Sequence, residues 1–401
     1  MRLSKIVGTL SDSATLALNS LGQQMRAQGI DVISFGAGEP DFNTPGHICN
    51  AAAEAMEKGF TRYTPVAGIP ELRRAISEKF ARDNGLEYSP EQVIVSCGAK
   101  HSVFNAIYVL CERGDRVIVP APYWLSYPEM VKAVGAEPTI VRTEEKNDYK
   151  ITPEQLDRAI DERTRVFLIN SPNNPTGSVY TEDELRAIGE VAVKRGVAVI
   201  SDEIYEKIIY DDAKHVSIAA LSEALREGTV VVNGLSKAYA MTGWRLGYAA
   251  GPVDVIKAMG RLQAQVTSNA NSIAQKAAMA ALEGGDEKVN TMVEEFSFRK
   301  RHAVSRLTRI PDISFPVPRG AFYVLVEVSR YYGASVDGEA INDSASFCKA
   351  CLDKERLLLI PGGPFGADGC VRISFAVSME DLEKGLDRFE RFLERLRGEG
   401  D

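Results

Sequence analysis

Between residues 91 and 234 the chain alternates short apolar runs with segments of helical spacing. Val93-Ile94-Val95, Val117-Ile118-Val119, Val166-Phe167-Leu168-Ile169, Val197-Ala198-Val199-Ile200 and Val230-Val231-Val232 show no polar alternation. That is the pattern of strands buried on both faces of a mostly parallel sheet. Between them, His101 to Arg113 reads as a helix stopped by Gly114-Asp115, and Thr181 with Glu184 forms a capping box ahead of Leu185, Ile188 and Val191. Upstream, Pro70 opens a helix with Leu72, Ile76 and Phe80 on one face. Past residue 285 the texture changes. Val289, Met292, Val293, Phe296, Val304 and Leu307 predict a long amphipathic helix ending before Pro311, a bridge to a second unit. That unit has strands at 321–325 and 371–375 and a last helix opened by Ser378 and Asp381, with Leu382, Leu386, Phe389, Leu393 and Leu396 on one side. The predicted class is α/β, a mostly parallel central sheet flanked by helices, with a smaller α+β domain.

In such sheets ligands bind beyond the carboxyl ends of the strands. Gly98, Trp124, Asn174, Asp202, Tyr205 and Lys237 all fall there. Lys237 follows an apolar strand and precedes a small-residue segment ending in Arg245. Taken alone, that stretch fits an exposed turn as well as a pocket. A pocket lysine, however, can be desolvated, lose its proton and form a Schiff base. The loop Gly36-Ala37-Gly38-Glu39-Pro40 marks backbone that must approach something closely.

Composition narrows the function classes. With 401 residues, 45% hydrophobic and 25% charged, the chain can form two domains around a sizeable core. A net charge of −8 argues against a nucleic-acid partner, which needs a basic face. The N-terminus lacks the apolar core of a signal peptide and no run is long enough to span a bilayer, so the expected location is cytoplasmic with no membrane partner. Six scattered cysteines form no disulfide framework; Cys348-Lys349-Ala350-Cys351 lacks the second half of a zinc site, and no metal is expected.

A lysine, an aspartate, a tyrosine, an asparagine and an arginine at strand ends suit pyridoxal 5'-phosphate, the cofactor supplying the electron sink and the protein the binding and electrostatics. Lys237 would take the aldehyde, Asp202 the ring nitrogen, Tyr205 and Asn174 the phenolate oxygen, and Arg245 with amides near Gly98 the phosphate. The stretch Gly234 to Gly247 resembles the lysine signature of the fold-type I, class I pyridoxal phosphate-dependent aminotransferases, most closely the prokaryotic-type aspartate branch. Gly38-Glu39-Pro40-Asp41, Tyr63-Thr64-Pro65, Pro122-Tyr123-Trp124, Asn173 to Gly177, Ser201 to Tyr205 and Gly320 to Tyr323 follow in the family's order, so the likeness covers nearly the whole chain.

The resemblance implies three segments: 1–45 as an N-terminal arm and part of the small domain, 46–290 as the large cofactor-binding domain, and 291–401 as the small C-terminal domain. It implies Lys237 as the Schiff-base lysine and catalytic base, with Asp202 and Tyr205 catalytic beside it. Gly98, Ala99, Lys100, Asn174 and Arg245 join them in holding the cofactor, and Trp124 walls its ring. Tyr63, otherwise a loop tyrosine packed on its neighbours, resembles the residue that reaches the neighbouring subunit's phosphate, implying a homodimer with shared sites. Arg372 resembles the arginine that grips the substrate carboxylate beside Gly38. Lys100, Ser13 and Thr15 correspond to positions associated with acidic side chains, although Lys100 could instead serve only the phosphate. The implied reaction moves an amino group from an L-amino acid, aspartate first, to 2-oxoglutarate. An aromatic, prephenate or broad-range aminotransferase, or a β-lyase, is the alternative; the basic residue associated with prephenate is absent near Ser11. Two positions depart from the pattern. Gly234 stands where a phosphate-binding serine is frequent, leaving open whether Ser236 replaces it, and Arg319 precedes Gly320 where a small polar residue is usual.

Overall fold

Runs of apolar residues need cover on both faces, and a seven-stranded sheet between helices provides it. The computed structural model describes residues 1–11 and 14–398, apart from the side chains of residues 14–17 and 19. The strands are β1 (Val93–Ser96), β2 (Arg116–Ala121), β3 (Glu137–Arg142), β4 (Thr164–Asn170), β5 (Ala198–Asp202), β6 (Thr229–Gly234) and β7 (Gly247–Ala250). Their order is β1-β7-β6-β5-β4-β2-β3. All neighbours are parallel except β7, which runs antiparallel between β1 and β6. Successive residues point to opposite faces: Ile118, Phe167, Ile169 and Val199 enter one core, while Val117, Val119, Val166, Leu168 and Ile200 enter the other.

The predicted strands are present: those of the central sheet are one to three residues longer than their apolar runs, the strand expected at 321–325 spans Tyr323–Glu327, and that expected at 371–375 spans Cys370–Ser374. Two strands of this sheet lie outside the prediction. β3 is the sheet edge, its residues half-buried or exposed and one of them Pro138, so no buried run announces it. β7 is four residues long and starts at a glycine. The first predicted helix spans Ala99–Leu110, starting earlier than expected, and the helix after Thr181 spans Glu182–Arg195. Its capping box is complete: the Glu184 N–H donates to Thr181 Oγ1 at 3.3 Å and the Thr181 N–H to Glu184 Oε2 at 2.8 Å.

The long helix Glu287–Leu307 leads to a three-stranded antiparallel sheet of β8 (Tyr323–Glu327), β9 (Ile360–Pro361) and β10 (Cys370–Ser374), ordered β9-β10-β8. Phe35, Phe296, Phe322, Phe347 and Phe389 meet in one buried cluster, so the segment after residue 30 packs with the C-terminal unit. The last helix, Met379–Gly398, buries Leu382, Leu386, Phe389, Leu393 and Leu396. Cys348 and Cys351 lie buried in helix Ser344–Glu355, where burial raises both thiols. Among the described residues no helix is long and apolar enough to cross a membrane.

Three backbone hydrogen bonds bring the C-terminal unit to the strand ends. The N–H groups of Arg319 and Gly320 both donate to the Gly177 carbonyl, at 2.8 and 2.9 Å, and the Ala321 N–H donates to the Ile208 carbonyl at 3.0 Å. A Cβ on Gly177 would come within 2.4 Å of Pro318, so only glycine permits this approach. Arg319 anchors the junction through its backbone, and its half-exposed side chain pairs with Asp212 at the surface.

Candidate active site

The carboxyl ends of β4, β5 and β6 face β10 across a cavity of about 250 Å³. Gly38, Ala99, Lys100, Trp124, Asn174, Asp202, Tyr205, Lys237, Arg245 and Arg372 line it together, and Gly98 sits against Arg245 at its rim. Tyr63 does not join them; its side chain is 91% exposed on a loop. Ser13 and the side chain of Thr15 lie outside the described residues.

Lys237 follows β6 directly, so the strand aims it into the cavity. Its Nζ donates to the Gly38 carbonyl at 2.6 Å and lies 5.9 Å from the centre of the Tyr205 ring. Part of the side chain faces the cavity, yet protein atoms surround it. Burial lowers the ammonium to about 8; Glu39 and Asp202 pull it upward, while Arg372 and Arg245 push it further down. Asp202 closes β5 and is buried. Its Oδ2 accepts the Tyr127 hydroxyl at 2.7 Å and its Oδ1 the Ile204 N–H at 3.2 Å. Desolvation raises this carboxyl to about 6, against those two hydrogen bonds and the attraction of Lys237.

Arg372 is carried by β10, where it faces Ile360 and Leu325. Only 2% exposed, it stacks 4.4 Å from the Tyr323 ring centre and 5.2 Å from that of Phe365. Its Nη1 donates to Asn174 Oδ1 at 3.0 Å and its Nη2 to the Gly36 carbonyl at 3.1 Å. Among the described residues its buried Nε has no hydrogen-bond partner. The Tyr205 and Tyr323 hydroxyls share a hydrogen bond of 2.9 Å, and burial raises both phenols.

At the other rim, the helix from Ala99 has no side-chain cap, so among the described residues the N–H groups of Ala99 and Lys100, which line the cavity, have no protein acceptor. Gly98 has φ +89°, and a Cβ there would come within 2.6 Å of Arg245 Nη2. Arg245 itself has φ 55°, and its Nη1 donates to the Thr242 carbonyl at 2.9 Å. Lys100 Nζ stands 5.1 Å from the Trp124 ring centre; burial and the neighbouring Arg245 lower its ammonium. Ser236 is buried at the cavity wall. A Cβ on Gly234 would lie 3.1 Å from both Gly247 Cα and Ile204 Cδ1, so a hydroxyl-bearing side chain there would need its neighbours to give way.

Uncapped amides, an arginine, a serine, an indole, a buried carboxylate and a desolvated amine form the donor set for a phosphorylated aromatic aldehyde. Outside the cavity, Glu203, Glu206 and His215 bring three potential ligand atoms together; there Glu206 is paired with Lys79, and Glu203 accepts the hydroxyls of Ser201 and Ser217 and lies 3.0 Å from His215 Nε2.

Several cavity residues have no role in the sequence reading. First among them, Tyr127 holds Asp202; Asn170 accepts the Asn174 N–H at 3.0 Å, and Tyr323 stands in the sequence only within a motif. The spacing of Tyr127 three residues after Trp124, one helical turn, was the available signal for the first.

The sequence matches the profile of aminotransferase class I and II over residues 30–389. An aspartate aminotransferase of Geobacillus stearothermophilus is 49% identical over 98% of this chain and 99% of its own. Among solved structures, the aspartate aminotransferase from Rhizobium meliloti superposes with a TM-score of 0.95 at 38% identity, covering 98% of this chain and 99% of its own. The aspartate aminotransferase from Thermus thermophilus with maleate gives 0.92 at 41%, covering 98% and 100%. The fold is therefore that of the fold-type I pyridoxal phosphate enzymes. With its profile and its relatives both spanning nearly the full length, the chain belongs to the class I and II aminotransferases, a family that works with pyridoxal 5'-phosphate.

Proposed function

We propose that this protein is an aspartate aminotransferase, transferring the amino group of L-aspartate to 2-oxoglutarate in two half-reactions. The observation that carries the reading is the single cavity into which Lys237, Asp202 and Arg372 all open. Pyridoxal phosphate, when bound, supplies an electrophilic carbonyl and an electron-withdrawing ring. In this reading Lys237, whose ammonium burial lowers to about 8, would take the proton from the substrate α-carbon once its Nζ is free and deprotonated. Asp202 keeps a proton on the ring nitrogen, and Tyr205 and Asn174 orient the ring through its phenolate oxygen. Arg245, Ser236 and the amides at Ala99 and Lys100 hold the phosphate. Arg372 uses its unpaired Nε and a guanidinium edge on the substrate α-carboxylate, beside Gly38. Lys100 would meet a distal carboxylate, together with Ser13 and Thr15.

A homodimer with shared sites belongs to the same reading, supported by the exposure of Tyr63 and of Met1, Leu3, Ile6 and Val7 in the N-terminal segment. So does the division at 45 and 290, supported by the cluster that joins Phe35 to the C-terminal unit. The test is spectroscopic. Aspartate alone should shift the visible absorbance of the holoenzyme and 2-oxoglutarate should restore it; no shift refutes the proposal. A donor panel including phenylalanine, with prephenate among the acceptors, separates the aspartate reading from a broad-range one.

A further inference from the structure

Tyr127 is 2% exposed, and its hydroxyl makes one hydrogen bond, to Asp202 Oδ2 at 2.7 Å. Among the described residues it is the only side chain bonded to that carboxylate; the other bond, from the Ile204 N–H, is longer at 3.2 Å. The same residue is tied to Trp124 twice. Its N–H donates to the Trp124 carbonyl at 2.9 Å, and its ring meets the indole edge-on at 84° with centres 5.3 Å apart. We propose that Tyr127 is a positioning residue that holds Asp202 as the anionic partner of the cofactor ring nitrogen while fixing the Trp124 indole.

This rests on the pyridoxal phosphate reading above. The groups around Asp202 leave the task to Tyr127. Burial and the adjacent Glu203 disfavour a charged carboxylate, and Lys237 assists only through space. Burial also raises the Tyr127 phenol well above its ordinary value, so it remains a donor across the working pH range. Without that donor, the proton shared between Asp202 and the ring nitrogen moves toward the carboxylate. The ring would then withdraw electrons less well, the hydroxyl of Tyr127 acting through Asp202.

The test is Tyr127→Phe, which keeps the ring against Trp124 and removes only the hydroxyl. With pyridoxal phosphate labelled with ¹⁵N in the ring, the wild-type holoenzyme should give a pyridinium resonance and the variant one moved toward neutral pyridine. A hydrogen bond to a charged group predicts pyridoxal phosphate affinity weakened about tenfold or more. kcat should fall by a similar factor while the aspartate KM stays within about threefold. Should Tyr127→Phe fail to fold, 3-fluorotyrosine at this position, a stronger donor, should move the nitrogen resonance the opposite way. A pyridinium resonance in wild type that either replacement leaves unmoved overturns this inference alone. A wild type that takes up no pyridoxal phosphate overturns the functional reading and the inference with it.

Discussion

Lys237→Met should make the apo-protein more stable while abolishing turnover. Methionine has nearly the length of lysine and is content in an apolar wall, whereas the ammonium is held there at a cost. Its fall from an ordinary 10.5 to about 8, at about 1.36 kcal/mol per pH unit, corresponds to a penalty of about 3 kcal/mol at pH 7, where both folded and unfolded chains are protonated. The part of the side chain that faces the cavity is solvated, which trims that figure. The variant also loses the 2.6 Å bond to the Gly38 carbonyl, worth about 1 kcal/mol, so the net gain is about 1–2 kcal/mol. The sign carries a pH signature. Between about 8 and 10.5 the unfolded chain holds a proton that folded Lys237 has released, so wild-type stability rises with pH through that window relative to the variant. Urea denaturation of both apo-proteins, at matched concentration and at pH 7 and 10.5, reads the gap directly. A variant less stable than wild type at pH 7, or a gap that stays constant to pH 10.5, would refute the reasoning.

Arg372→Lys keeps the charge but loses the fork, and should lower kcat/KM for aspartate by about ten- to a hundredfold in steady-state assays, mostly through KM. Gly98→Ala forces a side chain onto φ +89° and against Arg245; about 1–3 kcal/mol of destabilisation is expected in thermal unfolding of the apo-protein, with weaker pyridoxal phosphate binding by titration. Lys100→Gln should reduce the preference for aspartate over an uncharged donor, read as the ratio of their kcat/KM values, without loss of the uncharged activity. Thr181→Ala breaks the capping box far from the cavity and should cost about 1 kcal/mol in urea with kcat unchanged.

How much of this was legible beforehand follows from what each residue does. Val93 to Val95 and Val230 to Val232 announce themselves because strands sealed on both faces admit no polar residue. The β3 edge strand is exempt from that rule and so carries no signature. β7 is invisible for another reason: its identity as a strand depends on the two strands it inserts between, which are more than 130 residues apart in the chain. At the cavity, Lys237, Asp202 and Arg245 stand at strand ends where charge is conspicuous. The spacing of Tyr127 from Trp124 places its ring, but its hydroxyl is paired with Asp202 75 residues away, and that spacing does not encode the pairing. Gly234 was noticed as a missing hydroxyl, while the crowding by Gly247 and Ile204 that leaves little room for one appears only in three dimensions.

That crowding continues one strand over. A Cβ on Gly247 would fall 2.1 Å from the Ala99 amide nitrogen and 2.5 Å from the Gly98 carbonyl carbon. The chain just after Arg245 and the first turn of the helix at Ala99 therefore touch main chain to main chain, with no side chain as a spacer. Side-chain contacts can be retuned by drift, lengthened or shortened one methyl at a time; this one cannot. The two halves of the anion cradle are locked in register by atoms common to every amino acid, so saturation mutagenesis at position 247 should return glycine alone while the surrounding pocket is free to explore new substrates.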